Sequence, residues 1–369
     1  MDLWLANEDY RPKFLIEEFE SLIWRDVYSG HGDFELVLKE NYLLTGGNLK
    51  NFQFLRFSES PRVMMIETVD IPRQEEDNDG TGVGNRIIVK GRSVEAFLQF
   101  RTNTNGVSSP ESDLRYVGEQ IPNMAVSVMN RYIINPDNPE NKIPGLELGY
   151  IIQDRPIVSR RLPRDSIYNV VKKVLDDAEY GWQIYSMGDG KLGFSVYRGT
   201  DHTNRYDMFY REFSEETETM TNMSQLQSIA NWKNHARVEG ARTVVDVYQG
   251  SPDTIGPHSG FNRRTLVVSA GDVGTDEAIP VGDDIPELTR RGEEALREEA
   301  NKYISATDGE VPYLKWSEMS YSLGDLVRVK DFYGEKAKMR IVEDTWTINE
   351  SGVVKRTPSF KNVLENAQA

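Results

Sequence analysis

The most restrictive feature of the sequence is a stretch near the N-terminus where two strand-like runs flank a glycine-bearing turn. Residues 19–28 read Phe-Glu-Ser-Leu-Ile-Trp-Arg-Asp-Val-Tyr, residues 29–32 Ser-Gly-His-Gly, and residues 33–38 Asp-Phe-Glu-Leu-Val-Leu. In the second run Phe34, Leu36 and Leu38 share one face, while Asp33, Glu35 and Lys39 share the other. That is the period of two of a half-buried strand. Gly30 and Gly32 are expected to supply the positive φ of a tight connection.

Strand signals continue to Gly91, over residues 13–16, 52–57, 63–71 and 86–90, each bounded by Gly, Pro, Asn or Ser clusters. The acidic, glycine-rich loop between the last two, residues 72–85, fits neither of two ligand motifs. As a calcium loop starting at Glu75 it places Arg86 where a bidentate Glu is needed. As a dinucleotide loop its Gly80, Gly82 and Gly84 have the wrong interval and precede a strand. A solvated loop is the expectation, with a docking arm as the open alternative.

The pattern then changes. Residues 93–101 predict a short helix capped by Ser93, with Val94, Phe97 and Leu98 on one face. Residues 103–110 read as a loop, residues 119–133 as a helix with Pro122 in its first turn, and the proline-rich residues 135–144 as a linker. Ile167, Val170, Val171, Val174, Leu175 and Ala178 repeat at the helical interval, predicting a helix over 165–180 with Asp165 and Gly181 as its caps. Residues 182–185 and 192–197 predict a hairpin across Gly188-Asp189-Gly190.

Strands return at 226–232, 236–239 and 243–248. Asp284 and Glu287 then have capping-box spacing, with Pro286 expected in the first turn of a helix. Its buried stripe is Leu288, Ala295, Leu296, Tyr303 and Ile304, and Glu293 pairs with Arg297. Residues 312–360 are strand-like again. Residues 65–71 and 340–348 echo one another, as two related barrels or as chance similarity of amphipathic strands.

Composition narrows the function. A chain of 369 residues suggests two or three domains. The absence of Cys excludes disulfides, thiolate metal sites and a Cys nucleophile. The N-terminus lacks a basic region with an apolar core, and no apolar run reaches membrane-spanning length, so a soluble protein made in the cytoplasm is expected. The net charge of -16 opposes neutralisation of nucleic-acid phosphates. It fits solubility, or an acidic channel wall along which DNA slides without sticking. Arg155, Arg160, Arg161 and Arg164 form a local basic patch without interleaved aromatics, which suits a solvated face or salt bridges to an acidic subunit better than DNA.

The motifs of phosphate-binding loops, zinc proteases and serine hydrolases are missing; residues 256–260 put His258 where a serine would stand. His31, His202, His235 and His258 are isolated from one another in sequence. The adjacent pairs Asp283/Asp284 and Glu298/Glu299 read as surface charge, although two carboxylates at the correct separation are all a glycosidase needs. No catalytic, cofactor-binding or metal residue is assigned, and no cofactor is expected.

Four segments carry a family resemblance: residues 24–38, residues 87–97 (Ile-Ile-Val-Lys-Gly-Arg-Ser and the helix after it), residues 231–240 together with Arg263-Arg264, and residues 323–330 (Leu-Gly-Asp-Leu-Val-Arg-Val-Lys). Together they resemble the Gp37-like tail proteins of long-tailed (siphovirus) bacteriophages, which are similar to baseplate hub or tail-associated proteins. The resemblance implies an α+β, mainly β fold. Two β-barrel-like tube domains, residues 1–92 and 223–369, would enclose a helical connection and linker (93–144) and a small α/β domain (145–222), with a helix inserted at 285–305. It implies a non-enzymatic homotrimer at the virion tail tip, made in the host cytoplasm, whose six barrels adapt a six-fold tube to a three-fold tip and open for DNA ejection. Implied partners are distal-tail or tube ring proteins, the C-terminus of the tape measure protein, and tip or receptor-binding proteins. No stable nucleic-acid binding and no membrane anchor are expected. The sequence stops soon after its last strand, so a C-terminal cell-wall hydrolase is not expected. A virion carbohydrate-binding protein and a glycoside hydrolase are the alternatives.

Overall fold

The computed structural model describes residues 1–39, 49–71, 86–103, 115–153, 157–162, 164–176, 178–228, 230, 232–249, 259–275, 280–300, 304–317, 319–330, 332, 334 and 336–363. The chain divides into two compact units. The first takes residues 1–223, 309–328 and 340–359; the second takes most of the remainder, residues 224–308 and 329–339.

The opening strands are β1 (Leu3–Ala6), β2 (Pro12–Leu15), β3 (Ser21–Val27), β4 (Asp33–Lys39), β5 (Phe54–Phe57), β6 (Val63–Asp70) and β7 (Arg86–Ser93). Next come β8 (Arg115–Gln120), α1 (Ile121–Met129), β9 (Leu146–Ile151), β10 (Ile157–Arg161), α2 (Ile167–Asp176), β11 (Gly181–Gly188) and β12 (Lys191–Tyr197). The rest are β13 (Glu212–Phe213), β14 (Thr221–Ser228), β15 (His235–Gly240), β16 (Val244–Tyr248), β17 (Thr265–Ala270), α3 (Val281–Ala300), β18 (Ile304–Glu310), β19 (Leu326–Lys330), β20 (Lys336–Asn349) and β21 (Val354–Asn362).

In the first unit the main sheet runs β21-β20-β3-β4-β7-β6-β5-β1-β2. From β20 to β2 every pairing is antiparallel. The period-two reading of the opening hairpin holds: Leu22 and Trp24 on β3, and Phe34, Leu36 and Leu38 on β4, all point into one core with Ile87, Val89, Trp346 and Ile348. The sheet curls enough to bring the Trp24 ring 5.6 Å from Phe57 and the Phe57 ring 5.9 Å from Trp346. Among the described residues no strand pairing closes a barrel; the fold is mainly β, a large antiparallel sheet with small sheets beside it.

The turn chemistry is only half as expected. Gly30 has φ +117°, but Gly32 does not adopt positive φ. Gly32 is required for another reason: a Cβ there would lie 2.1 Å from the Arg25 carbonyl oxygen.

A second core of the same unit gathers α1 and α2 with β9, β11 and β12, around Trp182, Phe194, Met124 and Val171. Here β12 pairs antiparallel with β11 and parallel with β9. The hairpin turn at Gly188, Asp189 and Gly190 has positive φ at all three residues, as its composition predicted. Residues 94–100 form a 3-10 helix, and the Ser93 hydroxyl accepts the Gly32 N–H at 2.9 Å instead of capping it. Val94 and Leu98 are buried as expected, and Phe97 is half-buried. Helix α1 starts at Ile121, since 119 and 120 still belong to β8, and keeps Pro122 in its first turn.

Both expected caps of α2 are replaced. The Ser166 hydroxyl accepts the Asn169 N–H at 3.2 Å, which is the capping bond, and Asp165 instead accepts from Ser166 N–H and the Asn169 amide. At the other end Glu179, with φ +58°, reverses the chain. Gly181 is already in β11, where a Cβ would meet the Tyr28 ring at 2.2 Å.

In the second unit, the three-stranded sheet β16-β15-β17 pairs β15 antiparallel with β16 and parallel with β17. Leu288 and Leu296 of α3 close a small core with Ala236, Val238, Val247 and Ala270. The helix starts at Val281, so Pro286 lies inside it and no capping box forms. It ends at Ala300, and Ile304 begins a strand; Tyr303 and the Ile304 side chain lie outside the described residues. Glu287 pairs with Arg290 and Arg291, while Asp284 is buried against Arg242 at 2.8 Å.

Candidate functional site

The densest group of buried charge surrounds Arg62, whose guanidinium is fully buried. Its Nη1 donates to the Gly30 carbonyl at 2.7 Å and to Glu95 Oε1 at 2.9 Å, and its Nη2 donates to the Val27 carbonyl. Glu95 Oε1 also accepts the Ile184 N–H at 2.8 Å. One arginine therefore ties the β3–β4 turn, the 3-10 helix and β11 together. These charge-assisted bonds in a dry site are strong when complete.

Asp26 lies 3.8 Å from Arg62 Nε and accepts the Trp24 indole N–H at 3.2 Å. Burial pushes its carboxyl up to about 6, with Arg62 and a hydrogen bond from Ser60 pulling the other way. Directly opposite, in register across β3 and β20, stands a second buried aspartate, Asp344. It is held by Arg356 at 2.6 Å and accepts the Tyr321 hydroxyl at 2.9 Å. The Arg356 guanidinium covers the Tyr321 ring at 3.9 Å. Burial likewise raises the Tyr197 hydroxyl. Glu95 and Asp26 lie beside Arg62 and Asp344 beside Arg356, an arrangement suited to a rigid joint between like charges. Nothing in the sequence marked these residues as partners; the only signal was the strand alternation, which put Asp26 on the same side as Leu22 and Trp24.

The residues weighed from sequence do not assemble. His31 is half-buried beside the Tyr168 ring, and burial and Arg92 hold its imidazole below the usual histidine range. His202 is 3.3 Å from Asp325. His235 is buried in the second unit, with Thr265 at 3.0 Å and both Asp246 and Arg263 at 3.2 Å. His258, Arg155 and the loop at 72–85 lie outside the described residues, as do the side chains of Arg160, Arg161, Arg297, Glu298 and Glu299. Among the described residues, no group of three or more His, Asp or Glu is placed to hold a metal ion. Asp284, read as surface charge, is buried and paired with Arg242.

This fold is found in prophage tail proteins. The 43 kDa tail protein of prophage MuSo2 from Shewanella oneidensis shares it at TM-score 0.59 and 11% identity, over 98% of this chain and 97% of that one. A tail protein from Neisseria meningitidis MC58 matches at TM-score 0.57 and 11% identity, over 98% and 95% of the two chains. Prophage tail protein gp18 from Listeria monocytogenes EGD-e matches at TM-score 0.56 and 11% identity, over 99% and 95%. Within that fold the chain belongs to the siphovirus ReqiPepy6 Gp37-like family, whose model matches residues 1–360. No curated protein matches the chain.

Proposed function

We propose that this chain is a structural, non-enzymatic component of a siphovirus tail, a trimeric hub at the distal end of the tail tube. The family match over residues 1–360 carries the reading. It is supported by the fold shared with three prophage tail proteins over nearly the whole of each chain. In the proposed ring, residues 1–92 and 223–369 are the two tube modules of each subunit, joined through 93–144 and 145–222. The inward curl of the β20-β3-β4-β7-β6-β5 sheet, to which strands of both modules contribute, suits a tube wall. A charge of -16 suits a lumen that DNA crosses without adhering. Ring proteins of the tail tube, the tape measure C-terminus and tip proteins are its proposed neighbours, and ring opening would release DNA.

Light scattering over a concentration series tests the assembly: a stable species near three times 42.2 kDa is expected. A monomer at every concentration, together with no antibody labelling at the tail end of virions, overturns the assignment.

A further inference from the structure

Two turns of the first unit face each other across an open groove of about 600 Å³. One, Asn7 to Tyr10, connects β1 to β2 and is closed by the Tyr10 N–H bonding to the Asn7 carbonyl at 2.9 Å. The other, Lys50 to Gln53, precedes β5 and is closed by the Gln53 N–H bonding to the Lys50 carbonyl at 3.3 Å. Each turn holds an aromatic residue in the left-handed region, Tyr10 at φ +63° and Phe52 at φ +67°. For bulky side chains this conformation is strained; Phe52 stands at the third position of its turn, where glycine is the usual occupant when φ is positive, and Tyr10 at the fourth position of its own.

The two strained residues differ in what surrounds their rings. Tyr10 is buried, packs edge-on against Phe54 at 4.9 Å, and donates its hydroxyl to the Pro144 carbonyl at 3.1 Å. Its strain is offset by core packing. Phe52 is 74% exposed, so its ring returns little by burial. Its backbone is nevertheless fixed from both sides: Phe52 N–H bonds to the Ile66 carbonyl at 3.0 Å, and Ile66 N–H bonds to the Gln53 carbonyl at 2.8 Å. The fold therefore holds an apolar ring in water at the rim of a groove, in a conformation glycine would adopt more easily. Strain kept by over-determined surroundings clusters at binding sites.

The rest of the lining identifies the ligand chemistry. Asn7 and Asn51 bring side-chain amides, which both donate and accept hydrogen bonds, and Gln53, whose Oε1 already accepts the Lys50 N–H at 2.8 Å, brings an amide donor. Glu8 and Asp9 are balanced by Lys13 and Lys50, so the groove selects neither an anion nor a cation. One flat apolar ring, several two-way hydrogen-bonding groups and no net charge match a sugar, whose C–H face stacks on the ring while its hydroxyls donate and accept. A peptide docks through several side-chain pockets or by adding a strand to a sheet edge, whereas this groove is lined by two turns in which Phe52 is the exposed apolar side chain. We propose that this groove binds a neutral saccharide, with Phe52 as its stacking platform. Such binding makes no demand on the assembly state of the chain.

The test is an array carrying an N-acetylglucosamine tetramer, maltotetraose and a rhamnose-rich wall polysaccharide as neutral probes, with hyaluronan and teichoic acid as acidic probes, chitosan as a basic one, and a peptide set. The full-length chain is expected to retain at least one neutral glycan. Phe52→Gly should weaken that binding at least ~10-fold while its melting temperature stays level or rises, because glycine relieves the backbone strain. Phe52→Trp should keep the binding. Retention of no neutral glycan, retention of charged glycans or peptides alone, unchanged binding by Phe52→Gly, or a loss that tracks a fall in melting temperature each overturn the proposal.

Discussion

The apolar core around Trp24 and the ion cluster around Arg62 belong to the same unit and are about equally buried, Trp24 at 0% and Arg62 at 1% exposure. They are held by opposite kinds of force. Leu36 in the apolar core contributes through area removed from water, which is non-directional and tolerates shape changes at modest cost. Arg62 contributes only while its partners are present, because each buried charge without a counter-charge keeps its full desolvation penalty. The core thus sets that the sheet curls, and the cluster sets where the turn, the 3-10 helix and β11 meet.

The largest expected effect comes from breaking the cluster. Arg62→Ala leaves Glu95 buried and unpaired and should cost roughly 3–5 kcal/mol in urea unfolding. Leu36→Ala, within the apolar core, should cost roughly 2–5 kcal/mol. Combining Arg62→Met with Glu95→Leu should recover part of the loss, since Glu95 no longer stands as a buried unpaired charge, though Asp26 loses its arginine neighbour and the Gly30 carbonyl, the Val27 carbonyl and the Ile184 N–H lose their partners. If Arg62→Ala unfolds within about 0.5 kcal/mol of the wild type, the range of an ordinary surface substitution, the cluster does not hold the turn, the 3-10 helix and β11 together.

A smaller effect comes from Asp26. Asp26 has a carboxyl raised to about 6, so the native state binds its proton more tightly than the unfolded chain does. The sign follows: its contribution to stability grows as pH falls through 6 and is lost as pH rises through it. His31, held low by burial, pulls the other way over the same range. The informative quantity is therefore the difference between Asp26→Asn and wild type. That variant should lose relative stability by on the order of 1 kcal/mol between pH 7 and pH 5, read by urea unfolding at each pH. A pH-independent difference would mean that Asp26 titrates normally.

The smallest effect lies on the outer face of the same strands. Lys90 and Glu35 pair at 2.6 Å with both side chains well exposed. Glu35→Gln should change stability by roughly 0–1 kcal/mol and should lose even that in high salt.

Much of this was legible from local order along the chain. Period-two alternation was enough to place Phe34, Leu36 and Leu38 inside, and helical spacing was enough to bury Val170, Val171 and Val174, because each pattern repeats within a few residues of itself. Gly188-Asp189-Gly190 announced its own turn for the same reason. The helix near 284 was legible as a helix, but its start was not. Asp284 has cap chemistry in sequence, and only the fold brings Arg242 to it.

What tertiary structure alone decided is the set of meetings between distant residues. Arg62 reaches Glu95 across 33 positions, and Glu95 reaches Ile184 across 89. Asp26 stands opposite Asp344 only because β20 pairs with β3. The groove at Phe52 exists only because the Asn7 turn folds against it. Neighbouring residues constrain one another through backbone sterics and periodicity, which a sequence displays directly. Contacts between remote residues depend on register and packing, and many chains with the same local patterns could set these differently.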